Sequence, residues 1–80
     1  MTERKLKLIW DFRGPVANKT AEHHAIHLKE YAIAEGIAYL KIDVIAINEM
    51  HSIAYIAVME SVMKKVRDDL KPHRGQLYED

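Results

Sequence analysis

His23 and His27 stand four residues apart in the stretch Thr20 to Gly36, TAEHHAIHLKEYAIAEG. On a helix that spacing puts two imidazoles on one face, where they can chelate a transition metal, with Glu30 near enough to join them. The HExxH signature of zinc hydrolases is absent, because position 24 is His rather than Glu. A solvated helix face that carries imidazoles accounts for the same pattern. His24 borders the apolar side of the helix and is expected to be a packed, hydrogen-bonded residue rather than a ligand. His51 and His73 fall in a loop and in the tail, and no role is assigned to them. Asp43 interrupts an apolar segment. It is either an outward residue paired with Lys41 or Lys7, or the carboxylate that orients a histidine base. Asp11 and Arg13 end a strand just before Gly14-Pro15. Sites gather at such loops, so both are further candidates, against a plain turn with a surface ion pair.

Whatever positions these residues must be small. Eighty residues make a single domain, 1–80. With no cysteine, disulfides, thiolate metal sites and a cysteine nucleophile are excluded. Twelve basic residues balance twelve acidic ones, which argues against a nucleic-acid binder, since these carry a basic excess. The only glycines are Gly14, Gly36 and Gly75, so there is no glycine-rich phosphate loop and no motif that calls for a cofactor. No apolar run approaches the roughly 20 residues of a membrane span. The N-terminus lacks a signal peptide's apolar core, and a cytoplasmic protein is expected.

Periodicity supplies the elements. Residues 5–12 alternate, with Leu6, Leu8, Trp10 and Phe12 on one side, and form a half-buried strand. The first helix has Thr20 as its N-cap and Gly36 at its left-handed end. Its stripe is Ala21, Ala25, Leu28 and Ala32, bordered by His24 and Tyr31; His23, His27 and Glu30 face water. Residues 37–47 form a second strand, and 52–59, apolar on both faces, a central third one. A second helix runs over 60–71, with Val62, Met63, Val66 and Leu70 inward and Pro72 at its end. Residues 76–79 suit a short fourth strand.

The order is β-α-β-β-α, with a last β. A right-handed crossover puts both helices on one face of a small, mostly antiparallel sheet, a ferredoxin-like α+β sandwich with the third strand beside the first. The other face then carries Ile9, Ile45, Ile47 and one side of strand three. Such a patch is large for a monomer, so a homodimer packed sheet against sheet is expected.

The run His27-Leu28-Lys29-Glu30-Tyr31 leading to Glu35-Gly36, behind Phe12-Arg13-Gly14-Pro15, resembles the YciI-like proteins of the dimeric α+β-barrel group. The resemblance covers about residues 5–36. It implies a ferredoxin-like protomer, a sheet-to-sheet dimer, and His27 as the functional histidine. The family pairs that histidine with an aspartate, a place that Asp43 fills only as a spatial guess. Family members usually have Gly and Pro after the second strand, whereas this chain has neither between Ile37 and Lys71.

Three functions follow as expectations. The first is a partner- or small-ligand-binding module, with His24, Tyr31 and Arg13 as ligand contacts. The second is a YciI-like enzyme with His27 as general base beside Asp43. The third is a metal site on His23 and His27.

Overall fold

Two helices cover one face of a four-stranded antiparallel sheet in the computed structural model, which describes residues 3–78. The elements are β1 (Lys5–Arg13), α1 (Ala17–Glu35), β2 (Lys41–Asn48), β3 (His51–Met59), α2 (Glu60–Leu70) and β4 (Arg74–Leu77). The strand order is β2-β3-β1-β4, and every pairing is antiparallel. β3 is buried continuously from Ser52 to Val58, as its unbroken apolar run requires for a central strand.

Alternation divides β1 between two environments. Leu8 and Trp10 join Ile56 and Val58 of β3, Leu28 of α1 and Val66 of α2 in the main core. Trp10 also donates its indole N–H to the carbonyl of Leu70, 3.3 Å away, tying β1 to the last turn of α2. On the face without helices, Ile9, Ile53 and Tyr55 form a second cluster with Tyr78 packed against it. These three are only 1%, 4% and 5% exposed within one chain. The Lys7 ammonium lies 4.3 Å from the centre of the Tyr55 ring, so amphipathic side chains cover part of this face. The apolar residues left open there are Ile45 and Ile47, near the outer edge.

The α1 stripe of Ala21, Ala25, Leu28 and Ala32 is buried as its spacing indicates. The helix starts one turn earlier than a Thr20 cap allows. Ala17 opens it, Val16 takes the cap position without a side-chain bond, and Thr20 donates its hydroxyl back to the Val16 carbonyl. A buried Ala17 and the bond from its N–H to the Gly14 carbonyl replace the cap. Gly36 closes the helix at φ 64°, with the Ile37 N–H on the Ala32 carbonyl.

β2 starts at Lys41 rather than Ile37, because the chain first turns out of that cap and rejoins β3 through Leu40 N–H on the Ala57 carbonyl. α2 ends at Leu70, with Lys71 in the left-handed region. The fourth strand exists but begins at Arg74; Glu79, in the stretch expected for it, lies outside the described residues. No helix among the described residues is long and apolar enough to cross a membrane.

Candidate functional site

The last turn of α2, Pro72 and β4 bring the tail back along β1. His73 N–H donates to the Ile9 carbonyl at 3.0 Å, and Arg74 then stands opposite Ile9. On the other side of β1, the β2–β3 hairpin turns through Glu49-Met50, where the Met50 N–H is held by Asn48 Oδ1 at 2.8 Å. Gly14, at φ 115°, donates to the Met50 carbonyl and joins that hairpin to the end of β1. The register sets His51 opposite Arg13, and therefore diagonal to Asp11.

Asp11 gathers these pieces. Its Oδ1 lies 2.9 Å from His51 Nε2. Arg74 forks onto it, Nε to Oδ2 at 3.0 Å and Nη2 to Oδ1 at 3.1 Å. The Asp11 backbone N–H donates to His73 Nδ1 at 2.9 Å. The Asp11 and His51 side chains are 17% and 14% exposed, so the pair is largely shielded while Arg74 covers it from outside. The Arg74 fork above all, then the His51 bond, hold the Asp11 carboxyl down at about 2, against the opposing effect of burial. Asp11 is therefore ionised at neutral pH. A neutral His51 ring must then carry its proton on Nε2 to donate, which leaves the lone pair on Nδ1. Asp11 and Arg74 cancel in charge. What stays open on this side is Arg13, across from the His51 ring.

The other candidates fall elsewhere. His27 is 70% exposed on α1, with Nδ1 3.2 Å from Glu30. Asp43 is 52% exposed on β2; it sits 3.8 Å from Lys41 and accepts the Val44 N–H at 2.8 Å. The partners of His27 and Asp43 are thus Glu30 and Lys41, and neither residue is the other's partner. The His23 and His27 rings are 6.5 Å apart. Among the described residues, no group of three or more metal-ligating side chains is placed to hold an ion.

His24 packs between Trp10, 4.7 Å away, and Phe12, 5.5 Å away. It packs as expected, but the expected hydrogen bond is not made at Nε2, which is buried with no partner. Burial first, then the nearby His27 and His73, push its pKa down, which keeps the ring neutral. Tyr31 donates to Asp69 Oδ2 at 2.6 Å, in a chain that continues through Lys65 to Glu35. Burial first, then Asp69, push the phenol up to about 12. His24, Tyr31 and Arg13 therefore do not converge: the first two sit on the helix side, and Arg13 stands beside His51.

Neither His51 nor His73 was marked by the sequence. A signal existed: with the tail strand placed beside β1, and the hairpin register fixed by the alternation, Asp11 falls between Arg74 and His51. No protein-family model, curated protein or solved structure matches the chain.

Proposed function

We propose that the chain is a self-associating binding module built on a ferredoxin-like protomer, and that it takes a small organic anion at Asp11, His51 and Arg13. The strand order and the two helices on one face support the fold. One observation carries the site: a shielded carboxylate, saturated by an arginine fork, that fixes a histidine ring beside an exposed arginine. Asp11 and Arg74 serve as the frame, because a preorganised ring binds at lower entropic cost. Arg13 pairs with the anionic group, and the His51 ring packs against the ligand's organic body. The test is an NMR titration with benzoate. Saturable shifts at His51 and Arg13, lost in His51→Ala, are expected. Shifts at His27 alone, or none that saturate, overturn the site.

A catalytic reading is favoured by the same His51–Asp11 bond at 2.9 Å. A fixed carboxylate on one ring nitrogen and a lone pair on the other is what a general base needs. In the YciI-like version of this reading the base is His27. Modification by diethylpyrocarbonate separates the two. Faster reaction at the shielded His51 than at the other four histidines supports a His51 base, and a rate at His27 well above that of His23, exposed on the same helix, supports the YciI-like assignment. Uniform reactivity removes the catalytic reading. A two-fold partner on the helix-free sheet face, through Ile45 and Ile47, is the form of self-association that the YciI-like resemblance suggests.

A further inference from the structure

The two edges of the sheet are unlike. β4 is four residues long, follows Pro72, contains a glycine and is exposed throughout. Short, polar, broken edges of this kind resist further pairing. β2 is eight residues, KIDVIAIN, with no proline or glycine. Of the nine large apolar side chains that stand exposed among the described residues, six gather on this side: Tyr39, Leu40, Ile45 and Ile47 on and before β2, and Ile26 and Ile33 on α1. Ile26 lines a shallow groove with Glu22, Lys29, Asp43 and Val44. Ile33 is two turns further along the same helix face. The exposed apolar residues thus flank this edge on both faces, Ile26 and Ile33 on the helix side and Ile45 and Ile47 on the other.

We infer that β2 is the self-association edge, where a second copy of this chain pairs antiparallel across a two-fold axis through Ile42 to make one continuous eight-stranded sheet. This rests on the self-association in the reading above alone, and it places the contact at the sheet edge in place of the sheet face. The charges argue for the register. An axis normal to the sheet keeps all helices on one side and sets residues of the same face opposite one another. Centred on Ile42, it places Lys41 opposite the partner's Asp43, and Asp43 opposite the partner's Lys41. Tyr39 then faces the partner's Ile45, and Leu40 the partner's Val44.

Centred on Asp43, the axis would set two carboxylates against each other, which is destabilising. Centred on Val44, it would set Asp43 against an isoleucine and Lys41 against another. Within one chain, Asp43 already does both jobs in substitute form: it sits 3.8 Å from Lys41 and caps the Val44 N–H. On pairing, the partner strand's carbonyl takes that N–H, and the partner's Lys41 takes the carboxylate. The second α1 then approaches the first over the sheet and covers the Ile26 and Ile33 strip.

A charge swap tests this. Sedimentation equilibrium is run on the wild type, Lys41→Asp, Asp43→Lys and the double variant Lys41→Asp/Asp43→Lys. Both substituted positions are exposed on β2, and circular dichroism checks that each variant folds. The wild type is expected to be a dimer. Each single reversal removes two attractions and adds two repulsions across the axis, for a loss of about tenfold or more in dimer affinity. The double variant is expected to recover the wild-type affinity. A monomeric wild type overturns the inference. So does a dimer indifferent to the single reversals, which would place the contact on the sheet face instead, and so does loss of the dimer in all three variants. The benzoate titration at His51 and Arg13 reads a different part of the molecule, so the two proposals fail separately.

Discussion

Replacing Asp11 by asparagine keeps the shape of the side chain and removes its charge, which isolates what the Arg74 fork contributes. The carboxyl falls from its ordinary value of 3.8 to about 2 on folding. A gap of that size corresponds to at most about 2.5 kcal/mol at neutral pH. The Arg74 side chain is 49% exposed, so solvent screens part of the pair. A loss of about 1–2 kcal/mol is the expected cost of the variant.

The sign of the pH dependence follows from the direction of the shift. A carboxyl with a lowered folded pKa binds fewer protons folded than unfolded. Its contribution is complete above the unfolded value and disappears as pH falls toward the folded one. Wild-type stability therefore drops between about pH 4 and about pH 2, and the Asp11→Asn curve lacks that part of the drop. Asp69, also lowered, titrates alike in both proteins and cancels in the difference. Urea melts followed by circular dichroism, at one fixed protein concentration, measure the gap directly. A difference under about 0.5 kcal/mol at pH 7, or one that persists undiminished at about pH 2, would refute the argument that the fork fixes an ionised Asp11.

Two further perturbations follow from single side chains. His24→Phe removes a buried, unpartnered Nε2 from between two aromatic rings, and is expected to raise stability by about 1 kcal/mol at pH 7. Its folded pKa is lowered from 6.5, so the wild type loses stability as pH falls below that value, and the phenylalanine variant lacks this loss in thermal melts across the range. Gly36→Ala puts a Cβ on a residue at φ 64° where no atom beyond its chain neighbours lies within 4 Å. The cost is therefore purely conformational, about 1–2 kcal/mol by urea melt, and a loss much larger than this would mean the C-cap carries more than backbone freedom.

Local pattern made most of the fold legible. β3 could only be central, because Ile53 to Val58 offers no polar face. Alanine at 21, 25 and 32 with Leu28 named the buried side of α1, and Gly36 named its end. The start of α1 was not legible. Thr20 has the chemistry of a cap, but Ala17 buries against the fold and makes the earlier turn the stable one. The far ends of strands failed for a similar reason: β4 is fixed by its register with β1, not by any alternation of its own.

The candidate site escaped for a reason of distance along the chain. His51 is 40 residues from Asp11, and Arg74 is 63. A helix face can be read from spacings of three and four, which is why His23, His27 and Glu30 stand out in the sequence. Those three residues lie on an exposed helix face, where His27 pairs with Glu30. A site assembled across β3, β1 and β4 has no spacing rule, and each member looks ordinary alone: a turn aspartate, a hairpin histidine, a tail arginine. What makes them a unit is the antiparallel register, which carries Arg74 to Ile9 and His51 to Arg13 and leaves Asp11 between them. The same logic applies at the opposite edge. Lys41 and Asp43 look like a surface pair in one chain, and their complementarity becomes specific only when a second β2 is laid against the first.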